Sequence, residues 1–435
     1  MKTKTNEGAG ATMGNAGGRM RGRQSWGILC VAVSAALPIC ATNATAQVPE
    51  KIIHAFTGYP VDGQAPSSLV PGGRGVLYGS TKFGGNAGNG TVFSMIPPAS
   101  PDGAWTEGVI YNLPAATNNP YPYVAAVENG VVLGFTRQGG SGLQGNVFTL
   151  TPPASPGSAW NETDIYDFPN LGERGGPNAL IVANGVIYGT TDGDALFSLT
   201  PPASAGGAWT EKMLYGFSGG SDGGAPNSLM MGAGGVLYGT AQSGGISNNG
   251  IVFSLIPPAE RGGVWTEKVL YSFNGGSDGS GPVGLAMGSG GVLYGTTFNG
   301  GITTPECGVG CGTVFSLTPP ASAGGAWTEA VLYRFNGTSD GYAPPAGVTI
   351  GSDGVLYGVT GNANENDGGG VAFSLAPPSA PGGVWTETVL HSFTGTHGMA
   401  GVDPSTRLVP GPGVLYGATY SGGGHEDGTV FQLKP

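Results

Sequence analysis

The feature that most constrains this fold is a set of four short segments that recur in the same order along most of the chain. They are Gly-Val-Leu-Tyr-Gly, Gly-Thr-Val-Phe-Ser-Leu, a Pro-Pro pair and Trp-Thr-Glu. The tyrosine position occurs seven times at nearly regular intervals, at Tyr78, Leu133, Tyr188, Tyr238, Tyr294, Tyr357 and Tyr416. A length of 435 residues alone would suggest two or three domains, but repetition at this period indicates a single repeat architecture instead.

Each repeat predicts four short strands, A to D. β-Branched and aromatic residues alternate with clusters of Gly and Pro, and no stretch shows helical periodicity. In the fourth repeat we place the strands at Ser228–Met231, Gly235–Ala241, Gly250–Ile256 and Trp265–Phe273. A unit of this length suits a propeller blade better than one coil of a β-helix. The sequence therefore predicts an all-β fold, a seven-bladed β-propeller of four-stranded antiparallel blades.

The two ends of the mature chain predict how the ring closes. The last repeat stops after strand C, at Gly428–Lys434, without a Trp-Thr-Glu strand. The segment Lys51–Phe56 fits the missing strand D, with His54 at the position that Tyr271 holds in another repeat. Pairing of the two ends within one blade would remove exposed sheet edges.

Two repeated residue types have structural interpretations. One tryptophan per repeat lies at a fixed strand position, which favours core packing, with a sugar-binding platform as the alternative. The glycine after each repeat tyrosine, such as Gly239 and Gly295, is expected to permit close approach of neighbouring blades.

Residues 1–46 have the pattern of a signal peptide. Five basic residues precede an apolar run, Trp26–Ala41, and Ala44-Thr45-Ala46 is a small-x-small cleavage site. The run is shorter than the about 20 residues of a membrane-spanning helix. We expect a mature domain at 47–435 that is secreted or periplasmic, with no membrane span and no C-terminal anchor. Either Met1 or Met20 is the start.

The mature chain is acidic. It retains 11 basic and 26 acidic residues, a net charge of −15. This balance argues against nucleic acid and favours cations or neutral ligands such as glycans. Only Cys307 and Cys311 remain after cleavage, and in an exported protein they are expected to form a disulfide, with free thiols as the alternative. We expect a monomer.

The loops differ in length on the two faces of the predicted ring. The spacing from the phenylalanine of strand C to the tryptophan of strand D, as in Phe253–Trp265, is identical in six repeats. The spacing from the tyrosine of strand B to that phenylalanine varies, from Tyr188–Phe197 at its shortest to Tyr294–Phe315 at its longest. In a meander the D–A and B–C loops share one face, here called the variable-loop face. Variable loops on a constant scaffold are a usual place for binding.

The variable-loop face carries the candidate binding residues. Four D–A loops contain an aspartate before glycine, at Asp62, Asp222, Asp278 and Asp340. Such aspartates form turns with their own side chains. Calcium binding is the alternative, although closely spaced oxygen ligands are missing, and no other cofactor is expected. The loops around blades six and seven add Glu365, Asp367, His397, His425, Glu426 and Asp427. These could form a metal site, an acid/base pair or solvated loop tips.

The segments VLYSFNGGSDG (269–279), GGVLYGTTFNGG (290–301) and GTVFSLTPP (312–320) resemble the tandem repeat of exported bacterial proteins named from Gloeobacter and Verrucomicrobia, found in proteins called choice-of-anchor. The resemblance covers essentially the whole mature chain. It implies an exported repeat protein, often with a surface-sorting tail. Phe431–Pro435 ends the last strand here without such a tail. The resemblance supplies no catalytic residues.

Three functions follow as hypotheses. The leading one is a non-enzymatic propeller that presents its variable-loop face to a glycan or protein partner. The second is a hydrolase or lyase for a carbohydrate or lactone, with His397, His425, Glu426 and Asp427 as its site. The third is a structural surface component. The fold alone does not separate them.

Overall fold

The computed structural model describes residues 47–435 except 101–102, 116–118, 156, 171–174, 205, 261, 323, 362–368, 381 and 394–399. The predicted signal peptide lies outside the described residues, as do Glu365, Asp367 and His397. The described part contains 29 strands in seven antiparallel sheets, which confirms the seven-bladed propeller. It also contains three one-turn 3-10 helices, at Gly73–Gly75, Ala233–Gly235 and Ser289–Gly291.

The strands of each blade follow in chain order. Blade one has β2 (Gly63–Pro71), β3 (Leu77–Gly84), β4 (Thr91–Ile96) and β5 (Thr106–Asn112). Blade two has β6 (Pro122–Glu128), β7 (Val131–Thr136), β8 (Asn146–Thr151) and β9 (Asn161–Asp167). Blade three has β10 (Pro177–Ala183), β11 (Val186–Thr191), β12 (Ala195–Thr200) and β13 (Thr210–Gly216). Blade four has β14 (Gly224–Met231), β15 (Leu237–Ser243), β16 (Ile251–Ile256) and β17 (Thr266–Ser272).

The remaining blades follow the same plan. Blade five has β18 (Ser280–Met287), β19 (Leu293–Asn299), β20 (Thr313–Thr318) and β21 (Thr328–Arg334). Blade six has β22 (Thr349–Ile350), β23 (Leu356–Thr360), β24 (Val371–Ala376) and β25 (Thr386–Ser392). Blade seven has β26 (Gly401–Pro404), β27 (Val409–Gly411), β28 (Val414–Gly422), β29 (Thr429–Leu433) and β1 (Lys51–Ala55). Strand B of blade four begins at Leu237, slightly later than predicted, because Ala233–Gly235 form a 3-10 turn.

The ring closes as predicted, since β1 is the outer strand of blade seven. It pairs antiparallel with β29, with Lys51 opposite Gln432 and Ala55 opposite Thr429. The next residue, Phe56, is fully buried. Segments from the two ends of the described chain thus belong to one sheet.

Phenylalanines form the core between blades. The largest fully buried side chains are mainly the phenylalanine of strand C and the one that follows strand D. Phe273, after strand D of blade four, meets Phe315 of blade five edge-to-face at 5.1 Å between ring centroids. Phe56 meets Phe93 of blade one at the same distance of 5.1 Å. These junctions between blades are thus built on an aromatic pair in a favourable geometry.

The glycine after the repeat tyrosine has a different role from the one expected. A Cβ on Gly239 would lie 2.4 Å from Cζ of Phe253 and 2.6 Å from the carbonyl oxygen of Ser228. Both residues belong to the same blade, so the expectation of blade-to-blade approach was wrong. The glycine makes room for the phenylalanine ring of the neighbouring strand C. The same ring contact recurs at Gly79, Gly134, Gly189, Gly295, Gly358 and Gly417.

The repeat tryptophans pack between blades but are only half-buried. Trp265 meets Tyr188 of the preceding blade edge-to-face at 6.1 Å, and Trp327 meets Tyr238 in the same way. Their packing role is confirmed, while the fully buried core belongs to the phenylalanines.

Cys307 and Cys311 form the predicted disulfide, in the B–C loop of blade five. Such a bond is typical of proteins in oxidising, extracytoplasmic compartments. Within the described ranges of the chain, no helix has the length and apolar character needed to cross a bilayer.

Candidate functional site

The D–A loop aspartates fix turns and hold the tyrosine of the preceding strand D. Three tyrosine hydroxyls donate to such an aspartate, at 3.0 Å for Tyr215–Asp222, 2.9 Å for Tyr271–Asp278 and 2.8 Å for Tyr333–Asp340. Each carboxylate also accepts a backbone N–H from the start of its own turn, as in the 2.9 Å bond from Asn274 to Asp278. These are the bonds of a turn-forming aspartate.

A glutamate from the next blade completes each of these sites. Glu267, Glu329 and Glu387 are the glutamates of the Trp-Thr-Glu segments. Burial, and then the charge of the facing aspartate, raises the pKa of each to about 7. One oxygen, Oε1, of each is buried without a hydrogen-bond partner. We call the tyrosine, the aspartate and the next blade's glutamate a junction triad.

The glutamates were missed by the sequence analysis. Their partner aspartate lies in the loop that leads into strand A of the blade, far from the glutamate in sequence, so no single short motif contains both. The available signal was the glutamate itself, a charged residue that recurs at the same position of a packed strand in successive repeats.

At the closing junction the triad contains histidine in place of tyrosine. His54 Nε2 lies 3.3 Å from Asp62 Oδ2, and Glu107 comes from strand D of blade one. One ligand atom from each of the three lies within 4.8 Å of the others. This set could hold a metal ion.

The carboxylate of Asp62 is fixed in place. It accepts N–H bonds from Thr57 at 2.9 Å and from Gly63 at 2.6 Å. Burial raises the pKa of Asp62, but the bonds from His54, Thr57 and Gly63 outweigh it, so the net pKa is lowered. Asp62 is therefore ionised at neutral pH.

The junction between blades six and seven has a histidine but no aspartate. His391 Nε2 lies 3.7 Å from Oε2 of Glu50, the residue before β1 that takes the Trp-Thr-Glu position. Segment 394–400 contains no aspartate, and the Gly401 N–H donates to Glu50 at 3.4 Å. Burial raises the pKa of Glu50 to about 7.

The junction between blades two and three also lacks the aspartate, since segment 169–176 contains none. Tyr166 and Glu211 occupy the tyrosine and glutamate positions there. They line a cavity of only about 20 Å³. Loss of the loop aspartate therefore does not by itself open a sizeable cavity.

The junction between blades one and two keeps Tyr111 and Glu162 at the tyrosine and glutamate positions. Its D–A loop has no aspartate, and Asp164 replaces the apolar residue that strand D carries elsewhere, such as Val269. A cavity of about 180 Å³ lies here, lined by Tyr111, Asn146, Glu162 and Asp164 among others. It lies between the D–A loop of blade one and the B–C loop of blade two, on the variable-loop face.

The cavity is electrostatically unusual. Burial, then Asp164 and Asp167, raises the pKa of Glu162 to about 7. Burial, with Glu162 and Asp164 adding to it, raises the pKa of Tyr111 to about 12. The Asn146 amide donates to Asp164. The cavity thus joins a pair of adjacent carboxyl groups to a phenol and an amide.

The predicted cluster on blades six and seven is only partly described. His425 and Glu426 lie at an exposed loop tip, and Asp427 is half-buried. The Ala65 N–H donates to the Asp427 carbonyl at 2.8 Å. Burial raises the pKa of Asp427, and Asp62 adds to the effect while His425 opposes it. Asp427 therefore borders the closing junction.

Solved structures with this fold differ in what they do. A catalytically inactive variant of virginiamycin B lyase from Staphylococcus aureus, with quinupristin, is 14% identical, with 89% of this chain and 99% of that chain covered and a TM-score of 0.52. Ycf48 from Cyanidioschyzon merolae is 11% identical, with 89% and 98% covered and a TM-score of 0.51. The WD40 propeller domain of Doa1 is 10% identical, with the same coverage and a TM-score of 0.50. At these identities the likeness shows the fold alone.

Sequence comparison gives a family. No curated protein matches the chain. The family model described as the Gloeobacter/Verrucomicrobia repeat matches residues 126–322 and 262–435. These matches cover most of the chain and include the segments in which the repeat was recognised. The chain therefore belongs to the Gloeobacter/Verrucomicrobia repeat family.

Proposed function

We propose that this protein is an exported, non-enzymatic propeller that binds a glycan in the cavity between blades one and two. The observation that carries the proposal is a cavity of about 180 Å³ with two carboxyl groups, at a junction where the loop aspartate is absent and strand D carries Asp164. A departure from a repeat on the variable-loop face is where a specific ligand would be held.

The lining groups suit a sugar. Glu162 and Asp164 offer acceptors for hydroxyl donors, and the Tyr111 hydroxyl and Asn146 amide add donors. The ring of Tyr111 also lines the cavity and can pack against the apolar face of a sugar ring. The volume is below the about 300–1,000 Å³ of pockets for drug-sized ligands. It therefore fits a single sugar unit better than a longer segment.

The spacing of the carboxyl groups favours binding over glycoside hydrolysis. Glu162 and Asp164 lie two residues apart on β9 and line the cavity from the same strand. Glycosidases instead place their two carboxyl groups on either side of the scissile bond. A hydrolase or lyase at His397, His425, Glu426 and Asp427, a calcium ion in the D–A loops and a structural surface role stay predictions.

A glycan array with the predicted mature protein, residues 47–435, tests the proposal. The strongest ligand is then titrated calorimetrically against wild type and Asp164→Val. Valine occupies this strand position in other blades, at Val269, Val331 and Val389, so the variant is expected to fold. We expect its Kd to rise at least tenfold, or about 1.4 kcal/mol, with the melting temperature kept.

Asp222→Asn is the matched control, because it alters a carboxylate of an intact junction triad on the same face. Its Kd should equal that of wild type. An array with no bound glycan contradicts the proposed ligand class. A loss of affinity in Asp222→Asn but not in Asp164→Val contradicts the proposed place.

A further inference from the structure

We propose that His54, Asp62 and Glu107 bind one divalent transition-metal ion, with Zn²⁺ as the expected ion, and that this ion joins the closing strand to blade one. The inference does not depend on the glycan proposal, because it concerns a different junction and different residues.

The donor set determines the class of metal. An imidazole nitrogen suits Zn²⁺, Cu²⁺, Fe²⁺ or Ni²⁺, whereas Ca²⁺ and Mg²⁺ prefer sites made of oxygen alone. One histidine and two carboxylates provide three protein ligands. A fourth, open position taken by water is common in zinc proteins.

The distance between His54 and Asp62 matches that of two ligands of one ion. Two ligands bound at about 2.0–2.1 Å with a tetrahedral angle lie about 3.3 Å apart. The His54 Nε2 to Asp62 Oδ2 distance is 3.3 Å, beyond the about 2.7–2.9 Å of a charge-assisted hydrogen bond. The corresponding Tyr271–Asp278 contact is 2.9 Å, an ordinary hydrogen bond. Glu107 offers a carboxylate oxygen within 4.8 Å of a ligand atom of each of the other two.

The environments of Asp62 and Glu107 are compatible with metal binding. Asp62 is held by the backbone N–H groups of Thr57 and Gly63, as outer hydrogen bonds hold ligating carboxylates in metal sites. Glu107 Oε1 is buried without a hydrogen-bond partner. The glutamates of the three tyrosine triads have the same unpartnered oxygen, and a cation at this junction would supply a partner for that of Glu107. In the tyrosine junctions a neutral phenol takes the place of the imidazole, so those triads lack the nitrogen ligand.

The position of the site gives the ion a structural consequence. His54 lies on β1, the strand that closes the ring, while Glu107 lies on β5 of blade one. The ion would therefore link two blades beside the strand that joins distant parts of the chain. A ligand that binds only the folded state raises its stability.

Zinc titration of the untagged protein, residues 47–435, tests the inference. The protein is treated with EDTA, exchanged into metal-free buffer and titrated with ZnCl₂ by calorimetry, native mass spectrometry and thermal melting. Wild type should bind one Zn²⁺ per chain and melt at a higher temperature. His54→Tyr restores the residue that other triads carry, so the variant should fold. Its Kd for Zn²⁺ should rise at least tenfold, and adding Zn²⁺ should leave its melting temperature unchanged. Glu107→Gln should behave in the same way.

Two variants serve as controls. His391→Tyr makes the same substitution at the junction without an aspartate, and His425→Asn alters the histidine near Asp427. Both should bind zinc as wild type does. Failure of wild type to bind Zn²⁺, equal binding by His54→Tyr, or tighter binding of Ca²⁺ than of Zn²⁺ would overturn the proposal.

Discussion

At the residue scale, the repeat is governed by what each side chain meets in the adjacent strand. The aspartates before glycine were interpreted correctly as turn-forming residues because their bonds are local. The glycine after the tyrosine was misinterpreted because its constraint comes from a phenylalanine on the neighbouring strand, Phe253 for Gly239. The glutamate of Trp-Thr-Glu was missed because its partner aspartate lies far from it in sequence, in the loop before strand A. Hydrogen bonds within a turn could be predicted from the sequence, whereas contacts between strands could not.

Gly239→Ala tests the role of the repeat glycine. The added Cβ would lie 2.4 Å from the Phe253 ring and 2.6 Å from a backbone oxygen, so the backbone must shift. We expect a loss of about 1–3 kcal/mol in the free energy of unfolding, measured by urea denaturation. Gly276→Ala is the control, since its Cβ would have no neighbour within 4 Å, and it should stay within about 0.5 kcal/mol. Equal effects of the two substitutions would refute the ring-clearance explanation.

At the element scale, strand D is the strand that connects blades. Its glutamate faces the preceding blade, and its tyrosine and the following phenylalanine face the next one. The sequence predicted the number of blades, the strand order and the closure of the ring. Seven repeats, of which the last takes its strand D from the other end of the domain, admit few other arrangements. The cavity between blades one and two could not be predicted, since Asp164 differs from the consensus at one position and its effect depends on Tyr111 across the junction.

The glutamates of strand D predict a pH dependence of stability. Glu267, Glu329 and Glu387 have folded-state pKa values of about 7 against 4.5 for the free side chain. The folded state thus keeps protons that the unfolded state releases, so this stabilisation is full below about pH 4.5 and is lost as the pH rises through about 7. Burial and the facing aspartates raise these pKa values, and Arg334 opposes the effect at Glu329.

The triple variant Glu267→Gln, Glu329→Gln, Glu387→Gln should flatten this dependence, because it carries no titrating group at the three positions. The free energy of unfolding is measured by urea denaturation at several pH values between about 5 and 8. Glu260→Gln, at an exposed position, is the control and should keep the slope of wild type. A triple variant with an unchanged slope would disprove the assignment.

At the scale of the whole molecule, seven similar blades form a ring whose last strand comes from the first residues of the predicted mature domain. Four junctions share the pair of a loop aspartate and the next blade's glutamate, and His54 distinguishes the closing one from the other three. The junction between blades one and two departs from that plan by the missing loop aspartate and by Asp164 on strand D. The uniform junctions pack the blades together, and the departure between blades one and two is where we propose that a ligand binds.

Phe56→Ala and Phe273→Ala test whether the closing strand contributes as much as an internal one. Both side chains are fully buried and lie 5.1 Å from the next phenylalanine ring. Each substitution should lower the free energy of unfolding by about 3–5 kcal/mol. A small effect for Phe56 beside a large one for Phe273 would mean that the ring does not depend on its closing strand.

We propose that this protein binds a glycan between blades one and two, where the loop aspartate of the repeat is missing. The most direct measurement is a crystal structure of residues 47–435 with the glycan that binds best. We expect the sugar between blades one and two, with hydroxyl groups against Glu162 and Asp164. A sugar bound at an intact junction triad or on the opposite face, with this cavity filled only by water, would contradict the claim.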